Sequence, residues 1–293
     1  MTKPSPGLLE LGCCAWFAAA ASLAAEDPPL WSGVLEVGGL ASAAGTSHPD
    51  DGREAVGEAL AEARIYWQPL LGIRLGLGAA ADGHDYQGGP ESVRAEGWYM
   101  RLPATIMLDE HIGFTSLSSA GESRAVGVPA SSGHQWQVEA GLLYVRDADF
   151  YCALTAVVTS RFGLRPSIFP LPSLAWTISP VWSLTVVDEI DDMSRLTRTL
   201  TAHWACSLLV DARFFEYRLP GNGGQPAVLA DERAIIGIEG KWRPWGSDAL
   251  IVRPYIGDAV YRMLTLRSAD GQTLSTTRVS PTLSAGMTLY AAF

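Results

Sequence analysis

His203 and Ser207 are the nearest approach in this sequence to a hydrolytic pair. On one extended strand they share a face. A rise of about 3.3 Å per residue nevertheless separates them by about 13 Å. That exceeds hydrogen-bond reach, so a nucleophile–base pairing would need partners from elsewhere in the chain. Polar lining of an interior is the plainer reading. Gly76-x-Gly78-x-x-Ala81 follows a strand pattern and has the outline of a dinucleotide loop. That fingerprint needs a helix to open at its last position, and the turn-like Asp82-Gly83-His84-Asp85 follows instead. Asp188-Glu189-Ile190-Asp191-Asp192 is an acidic loop tip, and Asp82, His84 and Asp85 form another. Oxygen ligands of this kind suit Ca²⁺, though solvated loops have the same composition. No catalytic motif emerges, and the expectation is neither an enzyme nor a cofactor or metal protein.

A dispersed set of charges carries more information. Glu62, Arg64, Arg74, Glu139, Arg161, Asp211, Arg213, Arg233, Glu239, Lys241, Asp258 and Arg262 each fall on the polar side of an alternating segment. Alternation with period two marks a strand that has one face in an apolar medium. In Leu71–Ala80, Leu71, Ile73, Leu75, Leu77 and Ala79 share one face, and Gly72, Arg74, Gly76 and Gly78 share the other. Ala234, Ile236, Ile238 and Trp242 likewise oppose Arg233, Gly237, Glu239 and Lys241. In a soluble sandwich the polar face would be rich in Lys. Here the lysines are Lys3 and Lys241 alone. The polar faces instead carry Gly, Ser, Thr and charges of both signs, which suits the tight inner circumference of a closed barrel.

Such segments, about ten residues long as tilted membrane strands require, recur along the chain. The reading is 31–40, 59–68, 71–80, 94–102, 104–119, 134–146, 150–162, 171–178, 181–189, 195–204, 206–218, 232–243, 250–267 and 275–293. The turns inside 94–119 and 195–218 are weak, so the expectation is an all-β, closed antiparallel transmembrane barrel of about 12–14 strands. Short connections (Gln68-Pro69-Leu70, Asp147-Ala148-Asp149, Ser179-Pro180, 243–248) alternate with long polar ones (41–58, 81–93, 120–133, 163–170, 219–231), as in outer-membrane barrels. Ten Trp, several near strand ends, suit two interfacial belts.

Composition narrows the partners. A net charge of −10 with no basic stripe argues against nucleic acid. The first residues read as a secretory leader: Lys3, an apolar run from Leu11 to Ala25, and Ser22-Leu23-Ala24 as a cleavage site. The expected organisation is a leader over 1–24 and one barrel domain over 25–293. Cys152 and Cys206 then remain, too few for a disulfide framework.

The final strand carries a resemblance. Leu283, Ala285, Met287, Leu289 and Phe293 share one face and end on an aromatic. In this the chain resembles the outer-membrane β-barrel proteins of Gram-negative bacteria. Ala291 departs from the pattern, where an aromatic is common, and Tyr290 lies on the opposite parity. Phe169–Val187, with a Pro-rich start and a strand–Ser-Pro–strand hairpin, resembles a porin-like group of such barrels. The resemblance implies outer-membrane localisation, contact with outer-membrane lipid and lipopolysaccharide, and recognition of Leu283, Met287, Leu289 and Phe293 by the barrel-assembly machinery. It leaves the oligomeric state open.

Charged residues on a lipid face cost ~2–4 kcal/mol near the midplane, so the charges above are expected to face the lumen. Two meanings follow. They line a passive, porin-like channel for small solutes, or they pair across the lumen and plug it. A structural or adhesion barrel and a lipid-acting enzyme barrel are the alternatives to the channel.

Overall fold

The computed structural model describes residues 31–48, 53–87, 93–187, 193–222 and 225–293. The expected leader and the acidic tip at 188–192 lie outside these. The strands are β1 (Trp31–Ser42), β2 (Gly45–His48), β3 (Arg53–Leu70), β4 (Ile73–Gln87), β5 (Val93–Met107), β6 (Ile112–Ala125), β7 (His134–Asp147) and β8 (Phe150–Thr159). They continue as β9 (Ser167–Ser179), β10 (Trp182–Val186), β11 (Met193–Thr199), β12 (Trp204–Asn222), β13 (Gln225–Trp242), β14 (Leu250–Ser268), β15 (Thr273–Val279) and β16 (Thr282–Ala292).

These make a closed antiparallel barrel of fourteen staves. The first stave is β1 continued by β2, and the last is β15 continued by β16. The break in the last falls at Ser280-Pro281, where proline cannot donate to a ladder. The barrel closes between its first and last staves, with Val34 opposite Ala292 and Ser42 opposite Ser284. β1 also pairs with β3, from Trp31–Trp67 to Ala41–Gly57. Closure leaves no open edge along this seam, which lipid could not satisfy.

The alternation read from the sequence becomes inside and outside. Ile65 and Trp67 of β3 are exposed, whereas Glu62, Arg64 and Tyr66 are buried. Exposed Leu, Ile, Phe, Met and Trp side chains continue around the outside on β1, β3–β9 and β11–β14, ending at Leu283, Met287 and Leu289 on β16. Aromatics mark the rims of this band. Near the chain ends Trp31 stacks on Trp67 at 6.1 Å and Trp204 on Trp242 at 6.0 Å. Trp98 and Trp136 stand exposed on the far side.

Several turns differ from expectation. β3 extends through Gln68–Leu70, and the turn is Leu71-Gly72, where Gly72 takes φ +84°. Leu102-Pro103 lies inside β5; the β5–β6 turn is Leu108–His111, where the backbone N–H groups of His111 and Ile112 both donate to Asp109 Oδ1 at 2.7 Å. An Asx turn thus does the work that proline seemed to do. Residues 195–204 split into β11 and the turn before β12.

Beyond Trp98 and Trp136 the strands β3–β6 and β12–β15 run on. β6 meets β12 directly, with Arg124 beside Arg218 in a parallel bridge. This closes a smaller ring at the far end. Its interior is packed by Val56, Tyr86, Ala95 and Tyr217 in one cluster, and by Ala125, Val128 and Leu219 in another.

Candidate functional site

The barrel interior has two unlike sectors. Along β1, β3, β4 and β11–β14 it is filled by charged side chains, most of them in ion pairs. Glu62 accepts from Arg64 and, at 3.0 Å, from Arg101. Glu58 is shared by Arg233 and by Arg213, the latter at 2.8 Å. Arg195 grips both oxygens of Glu239, through Nε and Nη2 at 3.2 Å. Arg262 reaches Asp231 at 3.3 Å. Asp248 receives Arg243 at 2.5 Å and Lys241 at 3.8 Å. Arg74 lies over the Tyr66 ring, 3.7 Å from its centre. Burying such charges is tolerable only because they are compensated in this way.

The other sector is open. A cavity of about 710 Å³ is bounded by the inner faces of β5–β9, by the far half of β12 and, on the packed side, by Glu58 and Glu62 of β3 and Asp82 of β4. Towards the chain ends its floor is apolar: Leu143, Val145, Tyr151 and Ala175, with Met107 packed against them. At the far end the segment after β8 crosses over it. There Arg161 reaches Glu216 Oε1 at 3.0 Å, the Phe162 backbone N–H donates to Glu216 Oε2 at 3.1 Å, and Arg267 holds the same carboxylate.

Eleven of the twelve charges singled out from the sequence thus face inward. Arg64, Arg74, Asp211, Arg233, Glu239, Lys241 and Arg262 sit in the packed sector. Glu62 and Arg213 stand at the border of the two sectors and line the cavity together with Glu139 and Arg161. Asp258 is the correction: it is exposed, level with Ile256 and Val260 on the outer face. The reason is a bulge in β14. Ala234 faces Tyr261 but Ile235 faces Ala259, so Val260 is an extra residue and the parity flips there. Arg262, above the bulge, points in; Asp258, below it, points out.

Several interior residues escaped the sequence reading. Glu58 shares a face with Glu62 but fell outside the segment begun at residue 59. Glu36 is buried beside Glu62 in the β1–β3 register. Asp82 and His84 are not a loop tip. They lie in β4, where Tyr217 donates to Asp82 at 2.9 Å and His84 is packed among Tyr86, Phe215 and Tyr217. Among the described residues no group of three His, Cys, Asp or Glu side chains converges on a metal-sized space. His203 lies in the turn before β12 and bonds the Arg243 carbonyl at 2.9 Å, while Ser207 pairs with Thr197 at 2.8 Å. The two do not form a couple.

A closed sheet whose outer face is a continuous apolar band is built to sit in lipid, and its far ring of long strands extends beyond that band. The architecture is that of an outer-membrane β-barrel. The solved structures it resembles are of the same kind. The toluene transporter TodX of Pseudomonas putida gives a TM-score of 0.45 at 8% identity, covering 94% of this chain and 92% of that one. The translocator domain of autotransporter NalP from Neisseria meningitidis gives 0.37 at 8% identity over 95% and 94%. LpxR from Salmonella typhimurium gives 0.32 at 7% identity over 87% and 99%. No family model and no curated protein matches the sequence.

Proposed function

We propose that this barrel is an outer-membrane channel for small solutes whose path is confined to the sector between β5–β9 and β12. The observation that carries this reading is the cavity of about 710 Å³ inside a barrel whose remaining interior is packed by ion pairs. A cavity of that size suits a small molecule, and its mixed lining of hydroxyls, aliphatics and carboxylates suits a solute of mixed polarity. The apolar floor around Tyr151 and the far ring make the path narrow. A plugged structural barrel is the second reading, favoured by that same floor. An enzyme has no support in the position of His203 and Ser207. Orientation follows from the connections: the short turns and chain ends face the periplasm, the longer far ring the outside. The proposed partners are outer-membrane lipid and lipopolysaccharide along the apolar band, with the barrel-assembly machinery reading Leu283, Met287, Leu289 and Phe293.

Liposome swelling tests this reading. Vesicles carrying the folded barrel should admit small neutral solutes and exclude disaccharides. Equal exclusion of both by folded protein would favour the plugged barrel.

A further inference from the structure

The cavity wall formed by β6, β7 and β8 is banded. Residues directly opposite one another in an antiparallel ladder share a face, with Cβ atoms about 5 Å apart. Gln137 stands between Ser119 of β6 and Thr159 of β8. The next inward position, Glu139, stands between Leu117 and Val157, and the one after, Gly141, between Thr115 and Thr155. Apart from Gly141, these residues all line the cavity. Two rows of hydroxyl and amide groups therefore enclose a row that is apolar except for one carboxylate. Leu117 presents the accessible part of that row, and Val157 is buried.

Glu139 is the anomaly. A carboxylate between two aliphatic side chains loses water on both flanks and needs compensation. The three arginines that line the cavity are already engaged, Arg101 by Glu62, Arg213 by Glu58 and Arg161 by Glu216. Glu139 receives the Gln137 amide at 2.6 Å and forms no ion pair among the described residues. The remaining sequence from residue 25 onward supplies no counter-charge: 25–30, 49–52, 88–92, 188–192 and 223–224 contain no Lys, Arg or His. A carboxylate has about four acceptor positions, so most of those on Glu139 are left for a donor that enters from outside.

The surroundings decide which donor. Ca²⁺ takes roughly six to eight oxygen ligands and Mg²⁺ an octahedron, whereas no three acidic, His or Cys side chains converge among the described residues. An anion would meet Glu139 with every lining arginine already taken. A hydrated alkali ion would gain nothing from Leu117. An ammonium group on a hydrocarbon body uses both features. Its N–H groups suit the Glu139 carboxylate and the Gln137 carbonyl oxygen, which stays free as an acceptor when the amide N–H is spent on Glu139. Its hydrocarbon leaves water against Leu117.

We infer that Glu139, Gln137 and Leu117 form a binding site for a small organic cation, an ammonium carried on a short hydrocarbon body. This rests on the channel reading in that it names what the cavity takes; binding itself does not need passage.

The test is equilibrium dialysis of radiolabelled hexylammonium, methylammonium and hexanoate against vesicles carrying the full-length barrel, with protein-free vesicles as the blank. Hexylammonium should bind saturably and roughly tenfold tighter than either of the others. Glu139→Gln keeps the size of the side chain and should erase the preference for hexylammonium over hexanoate. Glu232→Gln removes another cavity-lining carboxylate away from this row and should leave that preference intact. Leu117→Asn should shrink the preference for hexylammonium over methylammonium and spare that for cation over anion. Heat-modifiable gel mobility establishes that each variant is folded. No saturable binding of hexylammonium, equal binding of hexylammonium and hexanoate, or a preference that survives Glu139→Gln overturns the site. A preference lost equally in Glu232→Gln means that the general field of the cavity selects, and overturns it too. Methylammonium bound as tightly as hexylammonium overturns the apolar half of the assignment. Saturable, Glu139-dependent binding without liposome swelling would instead count against the channel reading alone.

Discussion

Gly33 and Phe293 exchange both of their backbone hydrogen bonds, N–H of Gly33 to the Phe293 carbonyl at 2.7 Å and N–H of Phe293 to the Gly33 carbonyl at 3.0 Å. The Phe293 ring lies where a Cβ on Gly33 would be. The barrel seam is therefore fastened at its rim by Phe293, whose exposed ring lies over Gly33. Gly33→Val should displace the exposed Phe293 ring and strain the seam by about 1 kcal/mol, the low end of overpacking costs. Lower-temperature loss of the compact, fast-migrating gel form would show it. Phe293→Ala in the same chain should restore much of that loss, because the clash is with the ring. A double variant no better than Gly33→Val would place the strain elsewhere.

Glu58 is shared by Arg213 and Arg233 where the packed sector borders the cavity. Glu58→Gln leaves two buried guanidinium groups short of a counter-charge. Removing one partner of a buried pair costs roughly 3–5 kcal/mol, so the urea midpoint of the barrel in vesicles should fall markedly. A midpoint unchanged within error would mean that water, not Glu58, solvates these arginines.

Asp109 lies in the β5–β6 turn, and the two backbone N–H groups that it accepts hold its carboxyl below the usual aspartate range. A depressed folded pKa means that the stabilisation is present above the ordinary aspartate pKa and is lost as pH falls through the folded value. Asp109→Ala should therefore weaken the hairpin at neutral pH, and the difference from the parent should shrink under strongly acid conditions. Asp109→Asn keeps an acceptor and should cost less. Parallel unfolding curves at neutral and acid pH check this; a penalty for Asp109→Ala that persists unchanged in acid would contradict it.

The sequence reading reached a barrel of about 12–14 strands because each stave has one face in lipid, and that face imprints period two. Where Pro103 looked like a turn, β5 passed through, and the true turn at Asp109 lay hidden in a polar residue with no Gly or Pro beside it. The alternation of β14 suggested one inner face for Asp258 and Arg262, but a single extra residue at Val260 moved Asp258 outside. Pairing across the lumen was not legible at all. Glu239 finds Arg195, and β12 finds β6, only once the long strands fold over one another. The division into a packed and an open sector is a property of that crossing, so no local pattern announces it.

The central claim is that solutes pass through the open sector and not among the ion pairs. Single-channel conductance of the refolded barrel in a planar bilayer tests it most directly. The account predicts small, stable, cation-preferring steps whose selectivity falls with Glu139→Gln and is unaltered by Arg74→Gln, since Arg74 is laid over Tyr66 in the packed sector. Absence of steps from folded protein, or selectivity that follows Arg74 and ignores Glu139, would contradict it.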